Sequence, residues 1–215
     1  MVIEAQAQAE ARYWGNSASP HLLGREAKKA FFEARKDIAL HLGCRPGEII
    51  LTSGATESNN LALSGSYEAE QLRKTPRKHV LVSAIEHPSV LEVADALAEK
   101  GAIVDRIKVD SFGFIDLPDF RSKLTHQTIL VSVMAANNEV GALQPIADIA
   151  RFCKEAGAFF HTDATQWLGR IPLNIKKWGV DLLSASAHKL HGPKGVGLLF
   201  ARSSVPILEL SLIHI

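Results

Sequence analysis

Apolar runs and amphipathic segments alternate along this chain. Within residues 24–42, apolar side chains recur at spacings of three and four, and Gly43 follows them. This spacing predicts an amphipathic helix that ends at the glycine. Residues 48–53 read Glu-Ile-Ile-Leu-Thr-Ser, a short apolar run that predicts a buried strand.

The same alternation continues to residue 201. Further helices are predicted at 56–72, from Pro88 to Gly101, at 117–124 and at 145–156, and further strands at 79–84, 103–109, 128–134, 158–162, 181–184 and 196–201. Strands that alternate with helices require crossover connections, which favour parallel pairing and helices on both faces. The strands also read as near-continuous apolar runs, as burial on both faces requires. The predicted fold class is therefore α/β, a three-layer α/β/α domain with a mostly parallel sheet.

Composition excludes several classes of partner. The chain has 215 residues and a net charge of +1, with 24 basic against 23 acidic residues. This balance lacks the excess of basic residues that is typical of nucleic-acid-binding domains. No apolar run reaches the length of a membrane span. The two cysteines, Cys44 and Cys153, are too few for a disulfide framework or a cysteine-built metal site. No metal is predicted, and the polar N-terminus without signal-peptide features indicates a cytoplasmic protein.

Polar clusters follow the predicted strands. They occupy residues 54–58, 86–87, 137–139, 163–166 and 186–189. In open α/β sheets, ligands bind in the crevice beyond the carboxyl ends of the strands. We therefore expect these clusters to share one edge of the sheet.

The cluster with the strongest chemical signal contains Lys189. This lysine stands between small residues and a Gly/Pro-rich turn, just after an apolar run. A lysine amine at the end of a buried strand can condense with an aldehyde and hold a cofactor as an imine. Most lysines are solvated surface charges, so this interpretation depends on the other clusters.

Two clusters could bind the charged groups of a cofactor. Ala55 and Thr56 follow Gly54 at a helix start, where backbone N–H groups and the helix dipole favour an anion. An ordinary helix cap is the alternative, and is favoured for this segment alone. Asp163 could pair with a protonated pyridine nitrogen, with Gln166 bonded to the ring's phenolic oxygen. The alternative is a helix-capping aspartate with an exposed glutamine.

The remaining candidates are imidazole, amide and hydroxyl groups. His87 could stack on a cofactor ring or move protons, although a capping or surface histidine is the commoner case. Asn138 could bind a ring substituent or a substrate carboxylate, whereas turn chemistry is favoured for Asn137. Ser186 and His188 could hold a phosphate beside the helix start, and a polar strand end is the alternative for Ser186.

Five segments together resemble a known family. They are TSGATESNN, SAIEHPSV, NNEVG, HTDATQ and SASAHKLHGPKGVG, in this order. In this order and spacing they resemble the cysteine desulfurases, which belong to the class V aminotransferase group of fold-type I pyridoxal phosphate enzymes. The similarity runs from Tyr13 to Arg202. Any one segment is weak evidence, whereas five in order are specific.

The resemblance implies a cofactor and a role for each candidate. Pyridoxal 5'-phosphate would be bound by Lys189 as an imine, and Asp163 would pair with the pyridinium nitrogen. Gln166 and Asn138 would bind the ring oxygen or its surroundings, and His87 would stack on the ring. The phosphate cup would consist of Ala55, Thr56, Ser186 and His188. Lys189 and His87 are the implied catalytic residues, because they would move the substrate's α-proton.

The reaction implied by the resemblance is removal of sulfur from L-cysteine. Its products would be L-alanine and a protein-bound persulfide, which a sulfur-acceptor protein receives for iron–sulfur cluster assembly, and a homodimer is expected. Selenocysteine lyase or another class V aminotransferase remains the alternative. A non-enzymatic scaffold would have no need for Lys189, Asp163, Gln166 and His87 together. A dinucleotide-binding domain is excluded because no G-x-G-x-x-G follows the first strand.

The chain also departs from the family pattern. The family's sulfur-accepting cysteine lies in a C-terminal segment, and neither cysteine here matches it, so Cys153 is interpreted as a core residue. We expect residues 13–202 to form an incomplete cofactor-binding large domain, and the small C-terminal domain to be absent. Residues 203–215 are interpreted as a non-native or truncated tail. The chain alone is then expected to bind the cofactor weakly, if at all, and not to turn over cysteine.

Overall fold

In the computed structural model, which describes residues 1–208, the chain divides into two compact units at residue 49. The first unit contains helix α1, Val2–Arg12, helix α2, Leu22–Leu42, and a 3-10 turn at Pro46–Glu48. Helix α2 ends at Gly43, whose φ of 72° is left-handed, as the sequence predicts. Helix α1 was not predicted. None of its residues is buried, and its apolar side chains form no stripe along one face.

The second unit is built on a seven-stranded sheet. Its strands are β1 (Ile49–Thr52), β2 (His79–Ser83), β3 (Ile103–Ile107), β4 (Thr128–Ser132), β5 (Phe159–Asp163), β6 (Leu182–Ser186) and β7 (Gly197–Ala201). The strand order is β1-β7-β6-β5-β4-β2-β3. Strand β2 pairs in parallel with β3 and β4, as β5 does with β4 and β6, whereas β7 runs antiparallel to β6. The predicted, mostly parallel sheet is confirmed.

Helices flank this sheet. They are α3 (Ala55–Gln71), α4 (Pro88–Glu99), α5 (Leu117–Lys123), α6 (Ile146–Ala156) and α7 (Ile175–Trp178). Val80 and Val82 of β2 belong to the same buried cluster as Leu63 of α3 and Leu97 of α4. Leu81 lies between them on the opposite face of the strand and is also fully buried. Burial on both faces agrees with the predicted α/β/α class.

Two elements differ from the sequence-based expectation. Strand β3 is not a buried apolar run, since Ile103 is 61% exposed. It is the last strand in the order of the sheet and so forms an edge of the sheet within residues 1–208. After β6 the chain enters a 3-10 helix, Ala187–Leu190, so Lys189 lies one helical turn beyond the strand end.

Part of the predicted tail, 203–215, lies against α3. Val205 is buried in the cluster that includes Leu61, and Leu208 N donates to Gly65 O at 3.0 Å. A Cβ at position 65 would lie 2.6 Å from Ile207 Cγ2, so only glycine allows this close approach. Residues 209–215 of the same segment lie outside the described residues. The interpretation of 203–215 as a tail stays a prediction.

Replacing Phe120 with alanine is expected to destabilise the second unit. Phe120 is fully buried and meets the ring of Phe152 edge-on, with centroids 6.3 Å apart. Phe120→Ala removes this packing and leaves a cavity, which typically costs about 3–5 kcal/mol of unfolding free energy. Phe112 is 74% exposed, so Phe112→Ala should change stability by less than about 0.5 kcal/mol. Urea unfolding of both variants measures the difference, and equal effects would contradict the assigned core.

Candidate functional site

A cavity of about 490 Å³ lies at the carboxyl edge of the sheet. Strands β2, β4, β5 and β6 all run in parallel and end there, so the segments that follow them converge. Every site residue predicted from the sequence lines this cavity: Ala55, Thr56, His87, Asn138, Asp163, Gln166, Ser186, His188 and Lys189. The sequence-based grouping therefore corresponds to one place in the molecule, of a size typical for small-molecule sites.

The first turn of α3 forms one end of the cavity. Its cap residue, Gly54, has no side chain and makes no side-chain cap bond, so the first N–H groups of the helix are available to a ligand. Ser186 Oγ and His188 Nδ1 are 2.9 Å apart and line the same cavity. Backbone N–H groups, a helix dipole, a hydroxyl and an imidazole together suit a phosphate group.

A glycine pair allows strand β7 to approach this helix start. A Cβ at Gly197 would lie 2.5 Å from Gly54 Cα, which is closer than any side chain permits. Gly197 therefore fixes how near β7 comes to the backbone that begins α3. Sequence reasoning missed this residue, although the glycine-rich GPKGVG segment was a signal.

Asp163 forms the floor of the cavity at the end of β5. Its side chain is only 6% exposed. Its Oδ1 accepts a hydrogen bond from Thr165 N at 2.9 Å, and its Oδ2 accepts one from Asn59 Nδ2 at 2.8 Å. A buried carboxylate is costly without donors. These two donors offset that cost and leave the carboxylate able to pair with a cationic ring nitrogen.

Asn59 also connects the floor to His87. Its Nδ2 donates to Ser89 Oγ at 2.9 Å, and this hydroxyl lies 2.8 Å from His87 Nδ1. The Ser89 backbone N–H donates to the same Nδ1 at 3.1 Å. Because a backbone N–H can only donate, Nδ1 accepts, and neutral His87 carries its proton on Nε2. One buried amide thus orients both groups.

Sequence reasoning missed Asn59 and Ser89. The available signal was position, because Asn59 lies three residues after Thr56 and therefore on the same face of α3. Ser89 lies in the first turn of α4, two residues after His87. The sequence alone does not mark either residue as part of the site, because their hydrogen-bond partners are visible only in the structure.

Amides and amines occupy the rim of the cavity. Gln166 Oε1 accepts from Arg170 Nη1 at 2.7 Å, which leaves the Gln166 amide N–H groups as donors for a ligand. Lys189 and Asn138 are exposed at the rim, and Lys194 is a second lysine there. Geometry alone therefore gives two candidate amines.

Asn137 has the turn role expected from the sequence. Its Oδ1 accepts hydrogen bonds from the backbone N–H groups of Glu139 and Val140, each at 2.9 Å. Cys153 is fully buried on α6, which confirms its interpretation as a core residue. Burial raises the pKa of the Cys153 thiol well above its usual range, so it is not a reactive thiolate at neutral pH.

His161 supports the floor from within the sheet. Its Nδ1 lies 2.8 Å from Ser132 Oγ on β4, and its Nε2 lies 2.9 Å from Ser184 Oγ on β6. Burial lowers the pKa of His161 to about 4, although the nearby charge of Asp163 acts in the opposite direction. The ring is neutral at pH 7 and ties three strands together two residues before Asp163.

Two kinds of feature are absent from residues 1–208. Within this range no group of three or more histidine, cysteine, aspartate or glutamate side chains is arranged to hold a metal ion. Over the same residues, none of the helices combines the length and apolar character needed to cross a bilayer.

Comparison with known proteins relates this site to a family. A family model described as Aminotransferase class-V matches residues 1–207. The cysteine desulfurase IscS of Dictyoglomus turgidum is 46% identical over 194 residues, which is 90% of this chain and 48% of that protein. The chain thus spans about half the length of the curated relatives it matches.

Solved structures agree with this relationship. A NifS-like protein superposes with a TM-score of 0.93 and 40% identity, over 98% of this chain and 57% of that one. A structure described as SspA in complex with cysteine gives a TM-score of 0.91 and 32% identity, over 98% of this chain and 60% of that one.

A side chain at position 197 is expected to disturb the anion-binding end of the cavity. In Gly197→Ala the added Cβ meets the Gly54 backbone, so β7 or the start of α3 must shift. If the cavity binds pyridoxal phosphate, as the resemblance implies, its affinity should fall about tenfold, which corresponds to roughly 1.4 kcal/mol. Gly47→Ala is the control, because its Cβ would meet nothing within 4 Å. Titration followed by absorbance measures both, and unchanged affinity in Gly197→Ala would contradict the assigned role.

Removing the Asn59 amide is expected to destabilise the floor of the cavity. Asn59→Leu has a similar volume but leaves Asp163 Oδ2 without its amide donor, which costs about 1–3 kcal/mol. Asn60→Leu is the matched control, because the Asn60 amide donates to the Thr56 carbonyl of its own helix. Urea unfolding at neutral pH compares the two. Equal losses would show that the bond to Asp163 has no special weight.

Proposed function

Because this chain belongs to the class-V aminotransferase family, we propose that it carries the cofactor-binding part of a pyridoxal 5'-phosphate-dependent cysteine desulfurase. One observation carries this proposal. A single cavity combines an anion-binding helix start, a buried carboxylate and a lysine amine. These are the groups that the phosphate, the ring nitrogen and the carbonyl carbon of this cofactor require.

The residues present fit the cofactor group by group. The start of α3, with Ser186 and His188, would bind the phosphate, and Asp163 would bind the ring nitrogen. The amides of Gln166 and Asn138 would donate to the ring oxygen. Bound in this way, the cofactor supplies an electron sink for the electron pair released at the substrate's α-carbon.

The chain's own groups then have distinct tasks. The carboxylate of Asp163, fixed by two N–H donors, favours a proton on the nitrogen that it faces. Lys189 would hold the carbonyl carbon of the cofactor through its amine, and the same amine, once released and neutral, would accept a proton. His87 offers a flat ring for stacking, and its tautomer, fixed by Ser89, leaves Nε2–H as a donor. Together these groups would bind, orient and deprotonate an amino acid.

The substrate and partners belong to the same proposal. L-cysteine is supported by the relative named a cysteine desulfurase and by the similar structure in complex with cysteine. The proposal also includes transfer of sulfur to an acceptor protein for iron–sulfur cluster assembly, a homodimer and a cytoplasmic location, although two similar proteins are named mitosomal and mitochondrial cysteine desulfurases. Comparing L-cysteine with L-selenocysteine as substrates of the holoenzyme distinguishes this proposal from a selenocysteine lyase.

Borohydride trapping tests which lysine binds the cofactor. Reduction with borohydride makes the bond between a lysine nitrogen and the cofactor carbon permanent, so even weak occupancy leaves a mass label. We expect the label on Lys189 in the wild-type chain and in Lys194→Ala, and no label in Lys189→Ala. Both lysines line the same cavity, so the two variants are matched. Peptide mass spectrometry locates the label, and a label on Lys194, or one that survives Lys189→Ala, would contradict the proposal.

A further inference from the structure

Glu86 is an acidic side chain that the proposed chemistry does not use, yet it is buried beside the site. It is only 5% exposed. Its Oε1 accepts hydrogen bonds from Ser83 Oγ at 2.5 Å and from Met134 N at 2.6 Å. Ser83 ends β2, and Met134 follows β4. One carboxyl group therefore joins the segments that leave two neighbouring strands.

These two segments carry residues of the candidate site. His87 directly follows Glu86, and Asn138 lies four residues after Met134; all three of His87, Met134 and Asn138 line the cavity of about 490 Å³. A second bond, from Asn137 Nδ2 to Ile85 O at 3.2 Å, joins the same segments. Their separation is thus set by hydrogen bonds close to Glu86.

We propose that Glu86 is a positioning residue, which holds the segment after β2 to the segment after β4 and so sets the placement of His87 and Asn138 around the cavity. The functional role of Glu86 rests on the proposed cofactor site. Its hydrogen bonds to Ser83 and Met134 are observed independently of that proposal. Glu86 is not among the residues that line the cavity of about 490 Å³, whereas His87 and Asn138 are, so it acts through the two residues that it places.

Glu86 performs this role as a neutral acid. Its Oε2 is buried and has no hydrogen-bond partner among residues 1–208, which disfavours a carboxylate. Burial raises the pKa of Glu86 to about 8, and the charge of Asp163 acts in the same direction, whereas the bonds from Ser83 and Met134 oppose it. A neutral Glu86 leaves Asp163 without a second negative charge beside it.

Other titratable groups also lie near Glu86. His87, Asp110 and Glu139 line an adjoining cavity of about 440 Å³ together with Glu86, and Asp163 lies at the end of β5. Ionisation of Glu86 would add a negative charge near the carboxyl groups of Asp110, Glu139 and Asp163. The pH dependence of stability in a Glu86 variant is therefore compared with that of the wild-type chain. Both proteins contain the same neighbouring titratable groups, so the difference between them isolates Glu86.

The direction of the pH dependence follows from the raised pKa. Between the ordinary glutamate pKa of 4.5 and about 8, the folded state binds a proton at Glu86 that the unfolded state has released. The contribution of this group to the free energy of unfolding therefore falls as pH rises through that range. Glu86→Gln keeps an oxygen acceptor and cannot ionise, so this decline should be absent from it.

Urea unfolding without cofactor tests the neutral state. We expect Glu86→Gln to gain stability relative to the wild-type chain as pH rises from about 5 to about 8, with little further change above that. A difference that stays constant over this range would show that Glu86 is already ionised, and would overturn the neutral-acid assignment.

Pyridoxal phosphate binding tests the positioning role. At about pH 7 we expect Glu86→Gln to bind like the wild-type chain, and Glu86→Leu, which cannot accept a hydrogen bond, to bind about tenfold more weakly. Ser83→Ala removes one donor with a smaller change in packing and should bind with intermediate affinity. It provides the test if Glu86→Leu does not fold.

The outcomes separate this inference from the proposed function. Wild-type affinity in both Glu86→Leu and Ser83→Ala, or affinity in Glu86→Gln as weak as in Glu86→Leu, would overturn the positioning role. Absence of any borohydride-trapped label on the wild-type chain would overturn the proposed function, and with it the functional meaning of this role. The unfolding comparison would still decide the charge state of Glu86, because it uses no cofactor.

Discussion

The buried carboxylate of Asp163 is the constraint on which the site depends. A negative charge at this depth is stable only if donors face it, and the amide of Asn59 and the backbone N–H of Thr165 do so. The carboxylate stands at the end of β5, which has parallel neighbours on both sides. His161, bonded to both of those neighbours, fixes the register just before it. The position of the charge is thus set by the sheet itself.

Burial favours the neutral form of two titratable groups near this charge, His161 and Glu86. It keeps His161 and Glu86 neutral at pH 7, although it lowers the pKa of one and raises the pKa of the other. A low-dielectric environment disfavours the charged form of either kind of group. The floor of the cavity therefore presents a localised negative charge, which favours a cationic nitrogen opposite Asp163.

The other end of the cavity has the opposite preference. The uncapped first turn of α3 favours an anion, and the close approach of Gly197 to Gly54 sets where that turn lies. A ligand that satisfies both ends carries an anionic group at one end and a protonated nitrogen at the other, and the rim adds a lysine amine. This separation of charges matches the phosphorylated pyridine of the proposed cofactor better than it matches a simple anion.

The sequence alone determined the order of helices and strands and the edge at which the candidate residues meet. It did so because hydrophobic period follows from local geometry, and because parallel strands bring their carboxyl ends together. The resemblance of five short segments then implied a role for each candidate, including the imine for Lys189, whereas the cavity by itself contains two lysines.

Only the tertiary structure decided what holds those residues in place. Asn59 and Asp163 are 104 positions apart, so no local pattern links them. The burial of Glu86 between two strand ends, the approach of Gly197 to Gly54 and the exposure of the edge strand β3 are likewise invisible in the sequence. The physical reason is the same in each case: burial and hydrogen bonding depend on which distant segments the fold brings into contact, whereas hydrophobic period depends only on neighbours along the chain.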